Sequence, residues 1–321
     1  MFDRRMTPRR NQGQQAGFSL IELMIVLAIL LSVSAIVMSL MYSMTMTQGT
    51  VSNRTAMHSS VRSATEVLQQ EISQAGRIAL PDTVLPITLA APVTAVDVAF
   101  TVPVSSTLGM FDGILLAVGA GATREIVEMT NVDLGSNQIT GIFRNLHLIN
   151  EPVEPIGGFP TGIVAPNETN GSTATVFKMY GDINDDGNLV YVEYTCDTVN
   201  GFLYRNEVAI VPGAVKPPVD PSMVLLTNVL PNPGGTPCFT YEQKQVGNNW
   251  YVVNVAVTLT VETEYRDPQT DEYQRETKAL LNVSPRNVFE VWQMASTFGL
   301  ANYLQPMPAD PATLDVASLL P

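Results

Sequence analysis

Residues 18–40, FSLIELMIVLAILLSVSAIVMSL, are apolar throughout apart from scattered Ser and a single charge, Glu22, and contain no Pro or Gly. At 1.5 Å per residue a helix of this length reaches ~35 Å, enough to cross a ~30 Å hydrocarbon core. Farther on, Val61, Ala64, Leu68, Ile72, Ala75 and Ala79 recur at spacings of three and four, with Arg62, Glu66, Gln69, Gln70 and Gln74 between them. That period predicts an amphipathic continuation of the same helix, ending near Gly76 and Pro81. Gly49, inside the pattern, predicts a weak point or a bend.

From about 84 to 284 the period falls to two and turn residues recur. Candidate strands are 95–104, 114–118, 124–130, 138–144, 173–180, 189–196 and 202–207, followed by 223–229, 239–241, 250–265 and 273–283. Residues 134–137 and 267–271 read as hairpin turns. Residues 150–172 and 212–221, rich in Pro and Gly, read as loops. No strand–helix alternation appears, so a parallel sheet is not expected. The predicted fold is α+β: a long N-terminal helix packed on a mostly antiparallel β head. It divides into a leader (1–17), the helix (18–80, with 18–40 transmembrane), the head (81–286), and a short helix with a tail (287–321).

Charge gives this plan an orientation. The leader MFDRRMTPRRNQGQQAG holds four of the 17 basic and one of the 30 acidic residues, so without it the formal charge is −16. Basic residues ahead of an apolar span stay in the cytoplasm, which exports everything after it. So acidic a body argues against nucleic acid as a direct ligand, because phosphate binding needs clustered Lys and Arg. Cys196 and Cys238 fall on the exported side, where a disulfide persists. A bridge between neighbouring strands is the expectation, two buried free thiols the alternative.

The junction of leader and span is unlike a secretory cleavage site, because the small residue precedes the apolar core. Gly17-Phe18-Ser19-Leu20-Ile21-Glu22 resembles the processing site of type IV prepilins and of type II secretion pseudopilins. The resemblance implies cleavage between Gly17 and Phe18 by a prepilin peptidase, and N-methylation of Phe18. It also implies a lollipop-shaped subunit that assembles with other pilins through its N-terminal helix. Glu22 would then pair with the Phe18 amine of a neighbouring subunit; snorkelling to the headgroups is the alternative. The chain departs from many major pilins at Ser39, where they carry Pro. The head, with Val192-Glu193-Tyr194, Leu203-Tyr204-Arg205 and a final Val283-Ser284-Pro285-Arg286-Asn287, is similar to large minor pilins of the W type and to J-type pseudopilins.

One further motif carries chemistry. Residues 182–193, DINDDGNLVYVE, fit the twelve-residue calcium-loop pattern, with Asp182, Asn184, Asp186, Asn188 and Glu193 as ligands. The strand-like flanks are not those of an EF-hand, so a metal-free β-turn stays open. His58 and His147 lie in no triad or zinc spacing and read as structural; no enzyme is expected. The function expected is that of a minor pilin of a Gram-negative pilus. It would sit in the inner membrane with its head in the periplasm, then move to the pilus surface. A type II secretion pseudopilin and a calcium-dependent pilus adhesin are the alternatives.

Overall fold

The structure is a computed structural model, and it describes residues 17, 19–76, 86–156, 162–168, 170–183, 190–209 and 216–297. Its first element, α1 (Leu20–Gln74), is one 55-residue helix. The apolar span and the amphipathic stripe are therefore successive parts of one rod. The helix runs through Gly49 without a break. Instead the ring of Pro268 packs there, where an added Cβ would lie 2.9 Å from its Cγ. Gly49 is thus a contact position, which sequence alone does not show.

Among the described residues thirteen strands follow, and every pairing between them is antiparallel. β1 (Ala99–Pro103), β2 (Leu115–Val118), β3 (Glu125–Asp133), β4 (Gln138–Ile142) and β5 (Val153–Pro155) form a sheet ordered β1-β4-β3-β2-β5. β6 (Val176–Gly181), β7 (Val190–Asp197), β8 (Phe202–Ala209) and β9 (Val224–Thr227) pair in chain order. The third sheet is built on β12 (Asn249–Glu262), flanked by β10 (Val229–Leu230), β11 (Phe239–Val246) and β13 (Arg275–Val283). A closing helix, α2 (Arg286–Thr297), ends the described chain.

The α+β expectation is met, with local corrections. β5 lies in the stretch read as a loop; it is three residues long and at a sheet edge, where Pro155 is tolerated. The strand expected at 223–229 is two strands, divided by Asn228 at a φ of 57°. β11 runs beyond Tyr241 to Val246 through Glu242, Gln243, Lys244 and Gln245, edge positions that carry almost no apolar signal.

Alternation sorts the side chains into layers. On β6 to β8, Phe177, Met179, Val192, Tyr194 and Leu203 point toward α1, whose Val61, Ala64, Leu68 and Ile72 meet them in one core. Tyr180, Tyr191 and Val208 point the other way, into the core of the β1–β5 sheet. The middle sheet is thus buried on both faces, and the β1–β5 lobe is the layer beyond it. On β12 a bulge at Val253 changes which side chains face α1. Val252 faces it before the bulge and Val255, Val257 and Leu259 after it, which frees Tyr251 and Val253 to hold α2.

Candidate functional site: the exposed half of α1 and its anchorage

The N-terminus of α1 is closed by its own sequence. Ser19 is the N-cap; its Oγ accepts the Ile21 N–H at 3.3 Å and its own N–H donates to Glu22 Oε2 at 3.2 Å. This capping box satisfies donors that a helix end otherwise leaves open, and it sets a carboxylate at the positive end of the helix dipole. Glu22 therefore has a partner within its own chain. The neighbouring-subunit partner is a matter of assembly. Phe18 lies outside the described residues, and Gly17 is exposed.

Beyond the cap, no residue of α1 is buried among the described residues for several turns. Its most apolar 18-residue window has a mean hydropathy of 2.8 and is wholly unburied. Leu20, Ile21, Ile29, Leu31, Ile36 and Met38 are each more than half exposed. Ser32 donates to the Ala28 carbonyl at 2.8 Å, and Thr45 donates to the Met41 carbonyl at 2.9 Å. Such back-bonding lets hydroxyls sit in an apolar medium without an unsatisfied donor. Length, composition and exposure together make 20–46 a membrane-anchoring segment.

Where the apolar span ends, the head takes hold. The β12–β13 turn reaches α1 at 47–54. Thr50 donates to Asp267 Oδ1 at 2.8 Å, Gln269 Nε2 donates to Thr47 Oγ1 at 3.0 Å, and Arg54 meets Gln274. The Asp267 carboxyl is held below the usual carboxylate range, first by the backbone N–H of Gln269 and then by the Thr50 hydroxyl.

A second anchor lies five turns lower. Glu71 is buried on the stripe and accepts from Arg205 Nε at 2.9 Å and Nη2 at 2.8 Å, and from the Tyr194 hydroxyl. Arg205 also pairs with Glu207 at 2.7 Å. Burial first, and the Glu71 carboxylate second, push the Tyr194 hydroxyl well above its ordinary pKa. At the helix end, Asn287 Nδ2 donates to the Gln74 carbonyl at 3.1 Å, and Gly76 and Gly162 meet so closely that a Cβ on Gly162 would lie 2.2 Å from the Gly76 Cα.

The remaining sequence expectations divide. Cys196 and Cys238 form a disulfide that joins β7 to the start of β11, stitching the middle sheet to the third. Of the calcium-loop residues, Asn184, Asp186 and Asn188 lie outside the described residues, and Asp182 is half-buried at the end of β6. Glu193 is fully buried. It accepts from Lys216 Nζ and from the Tyr191 hydroxyl, each at 2.6 Å, so a cation drawing on it would have to compete with an ammonium. Its strand places it beside Lys178 on β6, whose pKa burial lowers and Glu193 partly restores. His147, which lies in no triad or zinc spacing, sits between two carboxylates: Nδ1 lies 2.7 Å from Glu151 and Nε2 lies 2.8 Å from Glu125. Glu151 at i+4 was visible in sequence, but Glu125 comes from another strand. Among the described residues no group of three His, Cys, Asp or Glu is placed to hold a metal ion.

The family model of the prokaryotic N-terminal methylation motif matches residues 13–38. The chain carries a prepilin-type N-terminus. No curated protein and no solved structure matches the chain. The motif supports a type IV pilin-like or pseudopilin precursor and fits a structural protein, with the apolar half of α1 suited to membrane anchoring.

Proposed function

We propose that the chain is a minor pilin, cut between Gly17 and Phe18 and methylated at Phe18. It waits in the inner membrane and then enters a type IV pilus. The observation that carries this reading is the contrast along α1. A motif-bearing apolar half is unburied among the described residues, and it continues without a break into a half fixed to a large head. Such a segment needs lipid first and the helices of neighbouring subunits afterwards. A head of three sheets is bulky for a repeating filament subunit, which favours a scarce position at or near the tip, in assembly initiation and surface presentation. Mass spectrometry of sheared filaments tests it. The expected N-terminal peptide begins with methylated Phe18, and Gly17→Trp leaves an uncut membrane-bound precursor. Any other N-terminus in the filament overturns the reading. Loss of protein export with intact pili in a deletion strain would assign the subunit to a type II secretion pseudopilus instead.

A further inference from the structure

The β1–β5 lobe carries a surface that assembly through α1 does not use. At its rim, two segments run side by side. Val93 and His147 exchange both backbone hydrogen bonds, at 3.0 and 3.3 Å, and the Asp97 N–H donates to the Phe143 carbonyl at 2.7 Å. Val93, Phe143 and His147 face inward and are buried. His147 pins the ribbon through Glu151 and Glu125, and Glu125 also accepts the backbone N–H groups of Arg144 and Asn145, each at 2.8 Å.

Leu146 and Leu148 alternate with buried His147 and so face outward, and Ile149 joins them in the turn that follows. Leu146, Leu148 and Ile149 stand 60%, 71% and 53% exposed, and Ile142 and Val98 flank them, each more than half exposed. These aliphatic groups add nothing to the core, yet a buried network holds them in place. Grouped exposed aliphatics of this kind mark interaction surfaces.

Charge and position select the occupant. Over 92–98 and 142–149 the charged residues besides buried His147 are Asp97 and Arg144, which cancel, while the chain after Gly17 carries −16. A neutral apolar island on so acidic a body meets repulsion from nucleic acid, from an anionic bilayer and from a second copy. The lobe shares its core with the outer face of the middle sheet and not with α1, so the ribbon lies in the layer away from the helix that would pack in a filament. We propose that this ribbon attaches the head to uncharged apolar surfaces. The inference rests on the pilin reading for its outward placement.

The test uses the full mature chain, anchored through α1 in zwitterionic nanodiscs, over methyl-terminated and hydroxyl-terminated sensor surfaces. The variant is Leu146→Ser with Leu148→Ser and Ile149→Ser. Val199→Ser, at a 92% exposed position on the β7–β8 turn, is the control. Wild type and control should adsorb to the methyl surface at least about tenfold more than the triple variant, an effect the size expected from losing contact by three aliphatic side chains. Adsorption should persist at about 1 M salt, where charge attraction is screened, and should be absent on the hydroxyl surface. Equal adsorption by the triple variant, loss in salt, or binding confined to anionic vesicles or to another copy of the chain overturns the proposal. Nanodisc insertion does not require filaments. A chain that adsorbs as expected but is missing from sheared pili sinks the pilin reading alone, and one present in pili with unchanged variant adsorption sinks the ribbon alone.

Discussion

The two halves of α1 share one backbone and follow opposite rules. From Leu20 to Met44 the helix is apolar on every side and exposed; from Met57 to Gln74 it is amphipathic, with its apolar stripe buried under two sheets. Each half also holds one glutamate. Glu22 is solvent-facing and bound to its own helix end, whereas Glu71 is buried and bound to Arg205 and Tyr194 of the head. A helix with a single buried stripe has found its partner within the chain, and one apolar on every side must find it elsewhere. The contrast shows that one element can serve as core helix and as assembly segment when the change of pattern falls at a fixed contact, here the clasp at 47–54.

The two glutamates give the sharpest way to break that contrast. Glu71→Ala leaves half-buried Arg205 with Glu207 alone and takes the acceptor from the Tyr194 hydroxyl, a loss that approaches from below the about 3–5 kcal/mol of breaking a fully buried pair. Urea unfolding of the head should read that loss, with membrane insertion unchanged. Glu22→Val should leave the unfolding curve in place and lower the share of subunit recovered in filaments. Equal recovery of this variant and wild type would reduce Glu22 to a helix cap.

Opening the disulfide is expected to act on the buried half alone. The bridge spans a sequence separation of 42, and closing a loop of that size stabilises a fold by up to about 4 kcal/mol in the chain-entropy account. Cys196→Ser with Cys238→Ser should lower the melting temperature of the head without altering the yield of membrane-inserted protein.

Leucine truncations compare the halves at fixed chemistry. Leu68 is wholly buried and Leu30 is 57% exposed. Leu68→Ala should cost about 2–5 kcal/mol through lost contacts and a residual cavity. Leu30→Ala should leave the head's thermal unfolding where it was. A destabilised Leu30→Ala head would mean that the apolar half does pack on the head.

Calcium sharpens the comparison from the head side. If the 182–193 turn binds the ion, calcium at ten times its dissociation constant adds about 1.4 kcal/mol to head stability by mass action. Asp182→Ala with Asp186→Ala should abolish the gain. Glu193→Gln should keep it, because Glu193 is already engaged by Lys216 and Tyr191. A melting temperature indifferent to calcium and to chelator leaves a plain turn.

The smallest expected effect is at the clasp. The folded Asp267 carboxyl titrates below its ordinary value of 3.8. Its contribution is therefore complete above that value and is lost as pH falls toward and through the lower, folded pKa. Hydrogen exchange at 47–54 should quicken over that acid range in wild type. In Asp267→Asn it should already be faster at neutral pH and nearly flat. Identical profiles would remove Asp267 from the anchorage.

Residue order alone determined the long helix, the prepilin-type junction at Gly17, the antiparallel class of the head and the presence of two cysteines beyond the apolar span. These depend on local periodicity, on composition and on a short motif, all written in consecutive positions. Tertiary structure decided the rest. It showed that Gly49 is a seat for Pro268, that Glu71 finds Arg205 across 134 positions, and that His147 draws on Glu125 from a separate strand. It also placed Val253 in a bulge that turns one strand toward two helices. Each of these is a meeting of residues distant in sequence. Sheet register and layer order create such meetings, and no local pattern encodes them.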